Sequence, residues 1–311
     1  MAKRNHEKVV WTIDVLMLLL VGALVWFMWP PKNKVPKVSH GRLERYQQVN
    51  SQFIPPRDVS VWLPEGYQPG EECDVLYMHD GQMLFDATTT WNSQEWKVDE
   101  VMDSLIKAGV IRRCIVVAIN NTENRLNEYF PDKTWQHVNE GDRMKTDTEK
   151  FQGDAYLQFI VKELKPYIDM CYKPLTTREH TFIMGSSMGG LISLYALCEY
   201  PQVFGGAACL STHLSMAHLD NGIDDKSWPA AFRDYVTEHL GDANSSLIYM
   251  DHGTEDFDAD YGTHQELLDS AILSKGWDNL HYKSLVFDGE GHNETAWAKR
   301  LDQPVLFLLG R

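Results

Sequence analysis

The sequence lacks the short motifs that hold nucleotides and metals. It contains no GxxxxGK[ST] segment and no GxGxxG after its first strand-like run, so nothing predicts a phosphate-binding loop. It also contains no HExxH and no cluster of Cys and His with zinc-ligand spacing. We therefore expect no metal site and no cofactor.

Cysteine is scarce and has no pairing pattern. The five cysteines are odd in number and form no CxxC pair, and four of them adjoin apolar residues in predicted strands or helices. They are typical of small buried side chains rather than of a disulfide framework. The positions are Cys73, Cys114, Cys171, Cys198 and Cys209.

Positive charge is also in the minority, with 29 Lys and Arg against 44 Asp and Glu and a formal net charge of −15. Because binding to a phosphate backbone needs clustered positive charge, we expect no nucleic-acid partner. The remaining composition, 43% apolar and 11% aromatic, excludes a disordered or low-complexity chain.

One long apolar run is present, over residues 9–29, and only Thr12 and Asp14 interrupt it. A helix needs about 20 such residues to cross a bilayer, and no small-residue cleavage site follows before Pro30. The sequence therefore predicts an uncleaved, single-pass membrane anchor at residues 1–30. Lysines flank the run on both sides, so the positive-inside rule does not fix its orientation.

Residues 31–50 form a predicted linker rich in Pro and Lys, and residues 51–311 are predicted to form one domain. In that domain, short apolar runs alternate with longer amphipathic stretches. This pattern predicts an α/β fold with a mostly parallel sheet and helices on both faces. The predicted strands are Val59–Leu63, Val75–Met78, Cys114–Ile119, Thr181–Met184, Gly206–Leu210, Leu247–Met250 and Tyr282–Phe287. The predicted helices are Trp96–Ala108, Ala155–Cys171, Met188–Glu199, Ala230–Leu240 and His264–Ser274.

The segment Gly185–Gly190 carries the pattern G-x-S-x-G between a predicted strand and a predicted helix. Flanking glycines allow a sharp turn that exposes the hydroxyl of Ser187, and this context is typical of a nucleophile elbow. The N–H of Met188, at the start of the helix, can donate to a developing oxyanion. The alternative is a glycine-rich turn that serves only packing and has no catalytic role.

A serine nucleophile needs a base, and in this type of fold the order along the chain is Ser, acid, His. His292 lies in a glycine-containing loop directly after the last predicted strand, which makes it the favoured base. His213, after the strand Gly206–Leu210, is the runner-up and a candidate to line the pocket.

The orienting acid should follow the penultimate strand, where five carboxylates occur in ten residues. We favour Asp256, with Asp258 and then Glu255 as alternates. A calcium loop is the rival interpretation because Asp256, Asp258 and Asp260 alternate. Its glycine would stand one place late, however, and no Glu occupies the twelfth position.

A second oxyanion donor should come from the loop after an earlier strand. The strand Val75–Met78 leads into the segment His79–Asp86 at the same predicted edge of the sheet. The backbone N–H of Gly81 or Gln82 is the natural donor there.

These motifs resemble those of the esterase family of α/β-hydrolases, which includes enterochelin, feruloyl and acetyl-xylan esterases, and the enterochelin-esterase-like branch is the most similar. The resemblance spans residues 51–300. It depends on the segments Arg57–Pro64, His79–Gln82, Leu84–Asp86, Gly185–Gly190 and Gly291–Glu294, together with Trp297.

The resemblance implies an α/β-hydrolase fold with Ser187 as nucleophile, His292 as base and an acid within Gly253–Asp256. It also implies a substrate-bordering loop that holds Arg125 and Glu128. Because relatives that act on plant polysaccharides or siderophores are often exported, we expect an extracytoplasmic catalytic domain. The candidate substrate-binding residues are His79, Asp80, Arg125, Glu128, His213 and Trp297.

The sequence therefore predicts a serine carboxylesterase that acts on an ester of a carbohydrate, a phenolic acid or a siderophore. Two alternatives stay open: an acyltransferase that uses the same residues, and a catalytically silent, membrane-tethered binding protein. The loops Thr88–Glu95 and Asn121–Gly153 are expected to shape the pocket, and the longer one is expected to cover it.

Overall fold

The computed structural model describes residues 35–143, 148–216 and 227–311. The predicted membrane anchor at residues 9–29 lies outside them. Within the described ranges, no helix is both long enough and apolar enough to cross a bilayer.

The described residues form a sheet of eight strands. Their bounds are β1 Arg42–Val49, β2 Arg57–Leu63, β3 Asp74–Met78, β4 Cys114–Ile119, β5 Thr181–Ser186, β6 Gly206–Leu210, β7 Leu247–Gly253 and β8 Tyr282–Phe287. The order across the sheet is β1-β2-β4-β3-β5-β6-β7-β8. The pairings of β2 with β1 and with β4 are antiparallel, and all others are parallel. The prediction of a mostly parallel sheet is confirmed.

The edge strand β1 was not predicted, because its residues lie within the segment assigned to the linker. The sequence of Arg42–Val49 is polar and its side chains are half-buried or exposed, so it lacks the continuous apolar run of the inner strands. It nevertheless pairs with β2 from Arg42 to Val49, with an irregularity after Tyr46. The predicted linker at residues 31–50 therefore overlaps the sheet.

Helices cover both faces of the sheet. Their bounds are α1 Val98–Lys107, α2 Arg125–Glu128, α3 Glu140–Arg143, α4 Gly153–Gln158, α5 Lys165–Tyr172, α6 Met188–Glu199, α7 Ser227–His239, α8 Gly262–Ser274, α9 Glu294–Arg300 and α10 Asp302–Leu309. A π-helical turn, Phe159–Leu164, joins α4 to α5, so these elements replace the single helix predicted there. The C-terminal pair α9 and α10 was not predicted.

Two buried apolar clusters lie on opposite faces of the sheet, because alternate side chains of each strand point to opposite sides. One cluster joins residues such as Val75 and Tyr77 to α4–α8. The other joins Leu76 and Met78 to α1, α9 and α10. The sheet is thus a layer packed on both faces, and the loops that follow its parallel strands lie at one edge.

Candidate active site

Ser187 occupies a strained turn between β5 and α6. Its φ is 56° and its ψ is −123°, a conformation that favours glycine. A Cβ on Gly185 would lie 2.7 Å from the backbone carbon of Gly189, so the turn needs glycine there. Ser187 is half-buried at the start of the helix. This geometry is that of a nucleophile elbow.

The imidazole of His292 contacts a buried carboxylate. Its Nδ1 lies 2.6 Å from Oδ1 of Asp258, and the side chain of Asp258 is fully buried. The rings of Phe257, Tyr261 and Trp297 stand nearly perpendicular to the imidazole, with centroids 5.1–5.7 Å away. The imidazole is therefore held in position by the carboxylate and by three aromatic rings.

Asp258 is held in its ionised form. Burial alone would raise the pKa of its carboxyl, but hydrogen bonds from His292, Ser211 and the Gly253 N–H lower the pKa below its ordinary value. The Ser211 hydroxyl donates to Oδ2 at 2.5 Å and the Gly253 N–H donates at 2.6 Å. A negative carboxylate is thus available to face His292 at neutral pH.

The two other acids considered from sequence lie elsewhere. Asp256 and Glu255 are exposed, whereas Asp258 is buried two residues farther along the same 3₁₀ turn. Asp256 has a φ of 54°, and its carboxylate lies against Gly291, where a Cβ would come within 2.2 Å of Oδ2. The acid in contact with His292 is therefore the first alternate, Asp258, and not the favoured Asp256. The turn carries the side chains of Asp256 and Asp258 to different sides, which their spacing does not reveal.

Ser211 connects Asp258 to a second buried group. Its hydroxyl oxygen accepts from Trp297 Nε1 and from Arg300 Nη2, each at 2.9 Å, while it donates to Asp258. Arg300 Nη2 also donates to Asp251 at 3.0 Å. Sequence reasoning missed Ser211, since no motif distinguishes it from other serines.

Tyr261 was also missed, and it lies beside Ser187. Its hydroxyl is 2.7 Å from Nδ1 of His213. Burial raises the pKa of Tyr261, and a hydrogen bond with the Ser187 side chain opposes that rise. His213, the runner-up base, therefore contacts a phenol rather than a carboxylate.

The predicted second oxyanion loop begins directly after β3, whose parallel neighbour β5 leads to Ser187. Gly81 is the first residue of a 3₁₀ turn, and a Cβ there would lie 2.6 Å from the backbone of Ala118. The side chain of Gln82 accepts from the Asn121 N–H at 3.1 Å. Met188 is the first residue of α6.

Asp80 and Arg125 form a two-pronged ion pair within this loop. Arg125 Nε and Nη2 donate to the two carboxylate oxygens at 2.7 and 2.9 Å, and Asn121 donates at 2.5 Å. Burial would raise the pKa of Asp80, but Arg125 and Asn121 lower it. Asp80 has a φ of 54°, so this pair holds a strained residue next to the predicted oxyanion donors.

Two candidate substrate-binding residues are buried in the fold instead. His79 lies between the rings of Tyr129 and Tyr156, and its Nδ1 is 2.7 Å from the Tyr156 hydroxyl. Glu128 is fully buried and forms an ion pair with Arg57 at 2.7 Å. Neither lines the cleft described below, since each side chain is buried and contacts partners in the interior.

Ser187 and His292 face a cleft with two lobes, which also share Arg125 and Phe257. The smaller lobe has a volume of about 310 Å³, and the larger one about 520 Å³. The smaller lobe is lined further by Leu126, Met188, His213 and Tyr261. The larger lobe is lined further by Asp80, Met83, Trp91, Asn92, Gln94, Trp96, Asn121, Ser186, Asn293, Glu294 and Trp297.

The two loops predicted to shape the pocket contribute unequally. The loop Thr88–Glu95 supplies Trp91, Asn92 and Gln94 to the larger lobe. The longer segment is Asn121–Gly153. Of its described residues, only three near its beginning line the cleft: Asn121, Arg125 and Leu126.

Comparison with protein families matches residues 53–308 to the family described as "Putative esterase". Among characterised and uncharacterised relatives, the protein YbbA of Bacillus subtilis is 27% identical over 172 residues, which are 55% of this chain and 60% of YbbA. The chain therefore spans less than two thirds of the length of that relative.

Two solved structures share the fold. A ferulic acid esterase superposes with a TM-score of 0.63 at 23% identity, over 87% of this chain and 98% of that one. The enterobactin esterase FES from Shigella flexneri superposes with a TM-score of 0.62 at 18% identity, over 88% of this chain and 60% of that one. The resemblance predicted from the motifs is confirmed.

Proposed function

Because this chain belongs to the esterase family whose model spans residues 53–308, we propose that it hydrolyses carboxylic esters through an acyl-enzyme on Ser187. The observation that carries the proposal is the arrangement of Ser187, His292 and Asp258. A serine in a strained turn opens onto the same cleft as His292, and Nδ1 of His292 is held by the buried carboxylate of Asp258.

Each residue has a role in the proposed reaction. The Asp258 carboxylate accepts from Nδ1, which leaves Nε2 of His292 to take the proton of the Ser187 hydroxyl during attack on the ester carbonyl. The N–H of Met188, with a second N–H from the Gly81–Gln82 turn, stabilises the oxyanion. His292 then protonates the leaving alcohol, and a water molecule releases the acyl group by the same steps in reverse.

The larger lobe favours a substrate with an aromatic ring. Trp96 and Trp297 line it at a ring separation of 5.3 Å, and Trp91 at its rim is 83% exposed. The exposed ring of Trp91 can supply a large contact area to a ligand, whereas Trp96 and Trp297 are mostly buried in the wall of the lobe. We propose an ester of a phenolic acid, which is consistent with the name of one structural neighbour, the ferulic acid esterase.

The proposal is tested with the full chain on p-nitrophenyl acetate and butyrate. Ser187→Ala should lower kcat by several orders of magnitude and abolish labelling by a fluorophosphonate. Ser186→Ala is the matched control, because Ser186 lines the same cleft one residue earlier, and it should keep both activity and labelling. If Ser187→Ala retained more than a few per cent of the activity, the proposal would be wrong.

A second measurement concerns the aromatic ring. Trp91→Ala should raise KM for a feruloyl ester several-fold and leave KM for p-nitrophenyl acetate unchanged, since the short acyl group does not reach the rim. Equal effects on both esters would contradict the phenolic assignment without touching the assignment of Ser187.

A further inference from the structure

Two imidazoles and a carboxylate come together on the surface where the 3₁₀ turn Asp132–His137 packs against α7. The groups are His137, Glu238 and His239, and their candidate ligand atoms all lie within 4.8 Å of one another. None of the three lines the cleft around Ser187. We infer that this trio binds one divalent transition-metal ion, with Zn²⁺ the favoured species, at a site separate from the proposed reaction.

The protonation of His239 suits a metal ligand. Its Nδ1 lies 2.9 Å from the carbonyl oxygen of Tyr235. Because a carbonyl oxygen only accepts, Nδ1 carries the proton, and Nε2 presents its lone pair outward. Metal-bound histidines commonly donate their second N–H to a carbonyl in this way, which fixes both tautomer and ring orientation.

One buried ring orients both imidazoles. Tyr235 is 1% exposed, and its hydroxyl donates to Glu199. His239 stacks on the Tyr235 ring at 4.2 Å and 16°, and His137 meets the same ring edge-on at 5.7 Å and 83°. The two imidazoles therefore stand perpendicular, with centroids 6.3 Å apart. Such packing reduces the conformational freedom that ligands lose on binding a metal.

The donor set and its spacing match zinc better than calcium or magnesium. Two imidazole nitrogens and one carboxylate leave a position for water, whereas Ca²⁺ and Mg²⁺ prefer sets of oxygens. Zinc–nitrogen and zinc–oxygen bonds of about 2.1 Å place tetrahedral neighbours about 3.4 Å apart. Nε2 of His137 and Oε2 of Glu238 already lie 3.5 Å apart. Glu238, whose side chain is 65% exposed, can adjust toward the third ligand.

A bound ion would join two segments about one hundred residues apart in the sequence. The turn Asp132–His137 belongs to the long segment that begins at the cleft with Asn121 and Arg125. Because the site exists only in the folded chain, zinc binding stabilises the fold by mass action. Zinc should therefore raise Tm in a concentration-dependent manner.

The test is zinc binding by the full chain, carrying no polyhistidine tag and stripped of metal, in competition with a chromophoric chelator. We expect one equivalent of Zn²⁺ per chain. His137→Ala and His239→Phe should each weaken binding by more than about 100-fold. The phenylalanine keeps a ring on Tyr235 but lacks both imidazole nitrogens, the ligand Nε2 and the Nδ1 that donates to the Tyr235 carbonyl. His281→Ala, which removes an imidazole paired with Asp278 elsewhere on the surface, is the control and should bind like the parent.

Two results would overturn the inference: the parent chain binds no equivalent of zinc, or the His137 and His239 variants bind it as tightly as the His281 control. Circular dichroism checks that each variant folds. If one does not, Glu238→Gln at an exposed position of the trio supplies the same comparison. Visible absorption of the Co²⁺-loaded chain provides a readout that does not depend on ester hydrolysis.

Discussion

The Nδ1 atom of His292 and the Oδ1 atom of Asp258 are 2.6 Å apart, although 34 residues separate them in the sequence. The loops after β7 and β8 make this contact because these strands are parallel neighbours whose carboxyl ends lie together. The carboxylate is fully buried and the imidazole borders the cleft. This pair connects the interior of the fold to the proposed chemistry.

The first prediction separates the two nearby aspartates. Asp258→Asn should lower kcat by about 10⁴-fold, because an amide at this position favours the wrong imidazole tautomer. Asp256→Asn changes an exposed carboxylate only two residues away and should alter kcat by less than about three-fold. Steady-state hydrolysis of p-nitrophenyl butyrate measures both. The reverse order of effects would return the role to Asp256.

The second prediction treats Ser211 as a positioning residue that acts through Asp258. Ser211→Ala removes a donor to the carboxylate, which should lower kcat by about 10- to 100-fold. The loss of that donor makes Asp258 more basic. The acid limb of the kcat/KM profile should therefore move to higher pH, as the His292 imidazolium becomes more stable.

Ser211→Gly serves as the companion variant, because Ser211 has a φ of 41°. Glycine relieves the backbone strain but also lacks the hydroxyl. We expect it to share the shifted pH profile while melting at a higher temperature than Ser211→Ala. If the pH profile instead shifted only in the less stable variant, although both variants lack the hydroxyl, Ser211 would have a structural role only.

The third prediction concerns the ion pair of Asp80 and Arg125. Arg125→Ala leaves a buried carboxylate without its partner and should reduce the free energy of unfolding by about 2 kcal/mol. The double variant with Asp80→Ala should lose less than the sum of the two single variants, because neither charge is then left unpaired. Urea unfolding of the four proteins completes this cycle. Strict additivity would show that the two side chains do not stabilise each other.

The fourth prediction follows from His79, because burial lowers its pKa to about 3. An unfolded histidine titrates near about 6.5, so between these two values the unfolded chain binds a proton that the folded chain does not. Stability therefore falls as the pH falls through this range. From pH 7.5 to 5.5, this one residue should lower the free energy of unfolding by about 1 kcal/mol.

His79→Phe should remove that part of the pH dependence, as measured by urea unfolding at the two pH values. Tyr156→Phe is the matched control, since it removes the hydroxyl next to Nδ1 and keeps the buried imidazole. Its pH dependence should resemble that of the parent chain. An unchanged slope in His79→Phe would show that the imidazole does not cause the effect.

The inner part of the fold could be predicted because its physical signals are local. Each of the strands β2–β8 contains a short apolar run, and the G-x-S-x-G pattern needs glycine for steric reasons that the sequence displays directly. The elbow around Ser187 follows from such contacts, as the close approach of Gly185 to Gly189 shows. The catalytic roles of Ser187 and His292 stay predictions, and the structure adds their placement around one cleft.

The rest depends on contacts between distant residues. The choice among three neighbouring acids depends on which way a 3₁₀ turn directs each side chain, and only Asp258 points inward. Tyr261 and Ser211 carry no motif, and their importance comes from what lies beside them. His79 directly follows the strand β3, as the sequence predicted, but the rings of Tyr129 and Tyr156 enclose its side chain and keep it from the cleft. The strand β1 has a polar sequence and gains its order from pairing with β2.

The backbone angles at Ser187 restrict which residues evolution can place there. Threonine offers the same hydroxyl group, but its branched Cβ makes a φ of 56° costly, so an exchange of serine for threonine would strain the turn. Cysteine, like serine, is unbranched at Cβ and does not add this cost. Among descendants of this chain that keep the turn, a thiol is therefore the more accessible replacement, and a shift toward threonine chemistry would first require the loop to be rebuilt.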